Sequence, residues 1–256
     1  MVSRLAQGHN HPEDGRHPAC KSDGSRPPFQ RGHALFKSSD GGISWTWVYS
    51  CSFFCFLPYV SALAIDPITP ETVYMGLANT LVAAGGVSRS SDGGNSWQAA
   101  STGLPGTTVN RIVIDPNTPT TLYAATASGV YKSTNAGEQW AAANTGLPAN
   151  STISALAIHP FTPTTLFAGA TTQLYKSTDG AASWQATGAG PNGSGINTIV
   201  INPQNPTLLY AAGYQGVVQS SDGGSSWGIF NSGLTNTNVL ALAIDPKTPN
   251  LLYAGS

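Results

Sequence analysis

The chain is poor in charge. Of 256 residues, 11 are Lys or Arg and 12 are Asp or Glu, giving a net charge of −1. That balance lacks the basic footprint of a nucleic-acid binder, so no nucleic-acid partner is expected. Long apolar runs are missing too. No stretch reaches about 18 apolar residues, which argues against a helical membrane span. The first residues hold no apolar segment of the kind a signal peptide needs. Cysteine is scarce, with Cys20, Cys51 and Cys55 as the three examples. Metal binding needs more ligands than these, and Cys51 and Cys55 on one strand are awkward for a disulfide. Buried free thiols are the expectation. Helical apolar spacing is also missing.

What is present is a repeat. SSDGGISW at residues 38–45 returns as SSDGGNSW (90–97), STNAGEQW (133–140), STDGAASW (177–184) and SSDGGSSW (220–227). Each has the form Ser-x-Asp-x-Gly-x-x-Trp, with Asn135 in place of the Asp once and Ala181 in place of the Gly once. Trp45, Trp97, Trp140, Trp184 and Trp227 close the five copies, at steps of 52, 43, 44 and 43 residues. A second marker keeps the same time: IDPITP from Ile65, IDPNTP from Ile114, IHPFTP from Ile158, INPQNP from Ile201 and IDPKTP from Ile244. Two markers in phase at about 43 residues indicate an array of one supersecondary unit.

Within a unit, VNRIVI (109–114) reads as an apolar strand and DPNTPT as a loop, because Pro cannot donate to a ladder. TLYAAT (121–126), VYKST (130–134) and QWAAAN (139–144) follow as strands, separated by ASG and NAG turns. Four short strands per repeat make a blade, and the fold class is an all-β β-propeller. The octamer is the hairpin between the third and fourth strands. Asp40, Asp92, Asn135, Asp179 and Asp222 are expected to bind backbone N–H groups in it, Gly to supply positive φ, and the Trp to bury its ring.

The octamers resemble the Asp-box, or BNR repeat, of sialidases, some endoglucanases and xyloglucanases, sortilin-type receptor propellers and the photosystem II assembly factor. The resemblance covers residues 34–256. It implies a propeller whose boxes lie away from any active face, and an extracellular or cell-surface location. It does not imply one function, because such proteins share the box and differ in what they do. A sialidase-like site would need three Arg residues around a substrate carboxylate; residues 34–256 contain only Arg89 and Arg111. A glycosidase needs two carboxylates facing one cleft, and Glu71 and Glu138 fall in a loop and a box hairpin. His159 stands in a repeat turn, which argues against a Ser-His-acid set. The expected function is therefore a non-catalytic module that binds a protein or glycan, with no cofactor and no metal. The alternatives are a glycoside hydrolase of sialidase or xyloglucanase type, and an assembly factor.

Residues 1–33 carry four of the five His and five of the eleven basic residues, and no repeat. They read as a disordered tail. His9, His11, His17 and Cys20 could ligate a metal, but nothing there fixes their geometry. Full units run over 60–102, 109–145, 153–187 and 196–231. Strands three and four remain at the N-terminal side and strands one and two at the C-terminal side. Pairing these leftovers would close a five-bladed ring without exposed edges; the alternative is a fragment of a longer propeller. First strands carry Leu63, Ile112, Leu156, Ile199 and Leu242 on one face and Ala64, Val113, Ala157, Val200 and Ala243 on the other, the large-against-small pattern that stacked blades need.

Two connectors are longer than their counterparts, at 46–59 and 75–89. Both join strands on the face opposite the boxes, flanking one blade. Variable loops on a rigid scaffold commonly carry binding, so the expected binding face includes Asn79 and the starts of first strands, Ser61, Asn110, Arg111, Ser154 and Asn197, with Gln173, Tyr214 and Gln215. Because residues 1–33 belong to no blade, deleting residues 1–32 is expected to leave the cooperative thermal unfolding transition intact. Loss of that transition in a calorimetric scan would assign the segment to the fold.

Overall fold

The computed structural model describes residues 34–50, 59–79, 84–171, 173–187 and 195–256. The expected tail and all three Cys lie outside these residues. The described residues form twenty strands and no helix. Two strands come first, β1 (Ala34–Lys37) and β2 (Thr46–Ser50). Four complete antiparallel blades follow. They are β3 (Val60–Ile65), β4 (Val73–Leu77), β5 (Gly86–Ser90) and β6 (Gln98–Ala99); then β7 (Val109–Ile114), β8 (Leu122–Thr126), β9 (Gly129–Ser133) and β10 (Ala141–Ala142). Next come β11 (Ile153–Ile158), β12 (Leu166–Ala170), β13 (Leu174–Ser177) and β14 (Gln185–Ala186), and β15 (Ile196–Ile201), β16 (Leu209–Gly213), β17 (Gly216–Ser220) and β18 (Gly228–Ile229). A pair, β19 (Ala241–Ile244) and β20 (Leu252–Gly255), ends the series.

The propeller class is as the repeat required, and the first strands of successive blades pack side by side. The ring, however, does not close through the leftovers. β1–β2 and β19–β20 are separate two-stranded sheets. The architecture therefore fits the alternative reading, a fragment of a β-propeller: four complete blades flanked by two half-blades. Closure requires each blade to turn enough about the axis for the ends to meet, and that angle is set by inter-blade packing rather than by strand count.

Blade stacking follows the two rows on the first strands. Ala64 packs against the cluster of Ile112 and Ile114, Val113 against that of Leu156, Ala157 beside Ile199, and Val200 against that of Leu242. The outermost members show the rule by lacking a neighbour: Leu63 is only half-buried and Ala243 is exposed.

The box hairpins are built alike. Ser90 Oγ donates to Asp92 Oδ1 at 2.7 Å and accepts from Gly94 N at 2.8 Å. Asp92 then accepts from Ser96 N at 2.9 Å and Ser96 Oγ at 2.6 Å, four residues on. Asn135 replaces Asp because one oxygen suffices for the backbone bond, to Gln139 N at 3.0 Å. The second turn residue has φ +95 at Gly94 and +66 at Ala181, the left-handed region that an L side chain enters only at a cost in strain. These hydrogen bonds hold the exposed carboxylates of Asp40, Asp92 and Asp222 far below the ordinary range and Asp179 at about 2, with the serine four residues on as the main cause.

The box Trp does more than fill its own turn. Its indole N–H reaches the residue just after the fourth strand of the preceding blade: Trp140 Nε1 donates to Ala100 O and Trp184 Nε1 to Ala143 O, both at 2.8 Å. Trp97 reaches Val48 O at 3.3 Å and Trp227 reaches Thr187 Oγ1 at 3.2 Å. A second seam bond, which the sequence did not disclose, runs the other way. Lys37, Lys132 and Lys176 donate to Gly93 O, Gly180 O and Gly223 O of the next box at 3.0, 2.9 and 2.7 Å. On the way, Lys132 and Lys176 pass over the rings of Tyr123 and Phe167 at 5.3 and 5.7 Å.

The IDP turns cap themselves. Asp115 Oδ1 accepts from Asn117 N and Thr118 N at 2.8 and 3.0 Å, and Asn202 Oδ1 does the same for Gln204 N and Asn205 N. His159 substitutes its Nδ1, which accepts from Phe161 N at 3.2 Å and Thr162 N at 3.0 Å. That arrangement requires an unprotonated Nδ1, hence a neutral ring. Partial burial, and then the nearby Lys176 charge, lower its pKa from 6.5.

Two predictions follow from these contacts. Trp140 and Trp184 are 3 % exposed and Trp45 is 49 % exposed, with Trp97 and Trp227 between. Trp140→Ala or Trp184→Ala should therefore cost about 3–5 kcal/mol in urea unfolding, Trp97→Ala and Trp227→Ala less, and Trp45→Ala least. The His159 contribution is full above pH 6.5, where the unfolded ring is also neutral, and is lost as pH falls through the lower folded value. His159→Asn keeps the acceptor and removes the titration, so the loss of melting temperature from pH 7 to 5 should be smaller than in wild type.

Candidate functional site

Hydrogen bonds sort the loops onto two faces. Each box hairpin donates to the loop after the first strand of its own blade: Gly93 N to Glu71 O, Ala136 N to Thr120 O, Gly180 N to Thr164 O and Gly223 N to Thr207 O, at 2.8–2.9 Å. Boxes and IDP turns thus share one face and are alike in every complete blade. Glu71 and Glu138 are both exposed there. A groove of about 390 Å³ lies on the same side between two box hairpins, along Lys132, Trp140 and Ala181.

The other face carries the variable connectors. Ala78 N donates to Tyr59 O at 2.9 Å, which brings the two lengthened connectors together as expected. Their central parts, 51–58 and 80–83, lie outside the described residues. Asn79 N donates to Thr108 Oγ1 at 2.9 Å, and Ala127 N donates to Thr108 O at 3.0 Å. The Asn79 insertion is therefore tied to the start of β7.

The starts of the first strands have a structural duty that sequence reasoning missed. Pairing slips by one residue at Ser61, Asn110, Ser154 and Asn197, so each is the extra residue of a β-bulge. Three of these side chains reach the next blade. Ser61 Oγ donates to Val109 O at 2.6 Å, Asn110 Nδ2 to Ile153 O at 2.9 Å and Asn197 Nδ2 to Val239 O at 2.9 Å. Gln173 Nε2 is committed within its own blade, to Thr187 O at 2.7 Å. Gln215 O accepts from Asn231 Nδ2 at 2.9 Å, and the neighbouring Tyr214 ring is exposed. A run of polar residues at strand starts thus looked like a ligand surface and is in large part a seam of inter-blade bonds.

Arg111 is different. The register places it level with Ala62, Ala155, Thr198 and Ala241. Of these, Ala62, Ala155 and Thr198 are buried where the first strands meet. A guanidinium does not fit that seam, and the Arg111 side chain is exposed. Enough protein still surrounds it for desolvation to lower its pKa from the ordinary value. Among the described residues no hydrogen-bond or carboxylate partner holds it. The start of β7 therefore carries a cation with no partner among the described residues, three residues from Thr108, to which Asn79 is bonded. No group of His, Cys, Asp or Glu suited to a metal occurs among the described residues.

No protein-family profile matches the chain, and no curated protein is similar to it at a significant level. Solved structures match its architecture. The GH74 xyloglucanase from Xanthomonas campestris superposes with a TM-score of 0.69 at 19% identity, over 86% of this chain and 39% of that one. An extracellular domain assigned to a one-component system of B. thetaiotaomicron gives 0.65 at 15% identity, over 88% and 30%. The YCF48 protein bound to D1 peptide gives 0.61 at 17% identity, over 87% and 69%. The chain spans 27–39% of the length of the GH74 proteins it matches. At these identities the likeness establishes the β-propeller fold.

Proposed function

We propose that this chain is a non-catalytic propeller scaffold that binds a protein or glycan ligand through a carboxylate, at the start of β7. The observation that carries this reading is Arg111: one cation, free of partners among the described residues, set in a row of small side chains and partly desolvated. A charge so placed gains more from an anionic partner than a surface cation does, because less water competes for it. Specificity would come from the Asn79 and Tyr59 connectors beside it. Peptide binding by a propeller of this architecture has a precedent in YCF48 bound to D1 peptide. An extracellular or cell-surface setting is part of the proposal, in keeping with the B. thetaiotaomicron domain. Among the described residues no helix is long and apolar enough to cross a membrane.

The test is an array of acidic peptides and uronic- or sialic-acid glycans. Binding should weaken by about tenfold or more in Arg111→Ala, one charge-assisted contact, and be partly retained in Arg111→Lys. Unchanged binding in Arg111→Ala, or a hydrogen-exchange footprint on the box hairpins, would overturn the reading. So would hydrolysis of xyloglucan or a sialoside that is lost on Glu71→Gln.

A further inference from the structure

The groove of about 390 Å³ on the box face lies between the box at 133–140 and the box at 177–184. Asn135 and Ala181, the two residues that break the box pattern, both line it. We infer that this groove is a second binding site and that it takes a neutral sugar. The inference does not rest on the Arg111 site.

Truncation opens the groove. Ala141 pairs with Lys132 across β9 and β10, so both side chains lie on the same face of the blade. That face looks toward the next box, since Lys132 Nζ donates to Gly180 O at 2.9 Å. In the two other complete blades that adjoin a following box, this position holds Gln98, paired with Arg89, and Gln185, paired with Lys176. A Gln side chain there projects toward the seam, whereas the methyl of Ala141 leaves the space open. Ala182 continues the trimming on the opposite wall, where Ile43, Asn95, Glu138 and Ser225 stand in the other boxes.

The hydrogen bonds change at the same place. Asp92, Asp179 and Asp222 each accept from the hydroxyl of the serine four residues on, Ser96, Ser183 and Ser226, at 2.6 Å. Carboxylate and hydroxyl are thereby spent on each other. The box at 133–140 replaces both partners, with Asn135 and Gln139. Asn135 Oδ1 keeps the turn, accepting from Ser133 Oγ at 2.9 Å and Gln139 N at 3.0 Å. Asn135 Nδ2 and the Gln139 side-chain amide have no partner among the described residues, and both residues line the groove. Where three boxes present a closed pair, this one presents two open amides.

These features select the ligand. An amide side chain both donates and accepts, as does a pair of neighbouring hydroxyls on a sugar ring. Thr134 adds a hydroxyl to the same wall, and the methyls of Ala141 and Ala182 give the C–H side of a ring an apolar surface. No carboxylate lines the groove, and the Lys132 ammonium is engaged by Gly180 O and the Tyr123 ring, so the site suits a neutral ligand. A peptide adding a strand is disfavoured. β10 is two residues long, and Trp140 N beside it already donates to Thr102 O at 2.8 Å. The volume falls in the range of about 300–1,000 Å³ usual for small-molecule sites.

Isothermal titration of the 256-residue chain with cellotriose, mannotriose, galactotriose and triacetylchitotriose tests this. None of these sugars carries a carboxylate, so the outcome is separate from that at Arg111. At least one should bind, with hydrogen-exchange protection over residues 133–142 and 180–182. Ala141→Gln installs the residue of the neighbouring blades, so it should fold as wild type does and weaken binding by at least about tenfold. Should that Gln disturb thermal unfolding, Asn135→Asp combined with Gln139→Ser restores the closed pair of the other boxes and should give the same loss. Binding by none of the four sugars, unchanged affinity in a folded variant, or protection centred on the start of β7 overturns the inference. So does a pool of uncharged peptides that occupies the groove when the sugars do not.

Discussion

The contact on which the rest of the structure depends is the box indole laid across the seam between blades. A four-stranded blade of such short strands cannot bury its faces alone. Trp140 and Trp184 each drive a large ring under their own hairpin and donate to a carbonyl of the blade before. Lys132 and Lys176 answer in the opposite direction, onto the box of the blade after. Every internal seam is therefore tied by directional bonds as well as by apolar packing. Directional bonds fix the orientation of neighbouring blades in a way that stacked Ala, Val, Leu and Ile side chains would not. The low charge of the chain is consistent with this use: several of its cations serve seams instead of solvent.

Departures from the repeat follow what each position must provide. Asn135 retains the oxygen that accepts from Gln139 N. Ala181 retains a left-handed φ that Gly holds with less strain. His159 retains a single acceptor for two backbone N–H groups, at the cost of a group that titrates. In each case the turn geometry is kept and the side-chain chemistry changes only within what that geometry tolerates. Arg111 is the exception. It stands where three other blades bury a small side chain, and among the described residues it adds no seam bond and has no partner for its charge. A residue that breaks the repeat without serving the scaffold is where a function added to the scaffold would be sought.

The sequence by itself determined the blade. Octamer and IDP markers in phase, Gly at turn positions and apolar strands between them fix local backbone conformation, and local conformation depends on residues close in the chain. The sorting of boxes and IDP turns to one face and long connectors to the other was legible for the same reason, and so was the pairing of large and small rows such as Leu156 with Val113. Tertiary structure alone decided what depends on the neighbouring blade. It assigned Asn110 and Asn197 to inter-blade carbonyls when their strand-start positions had suggested a ligand surface. It ranked five identical Trp by burial, from Trp140 and Trp184 at 3 % exposed to Trp45 at 49 %. It kept β1–β2 apart from β19–β20, because ring closure depends on the angle summed over every seam, a quantity that no single repeat encodes.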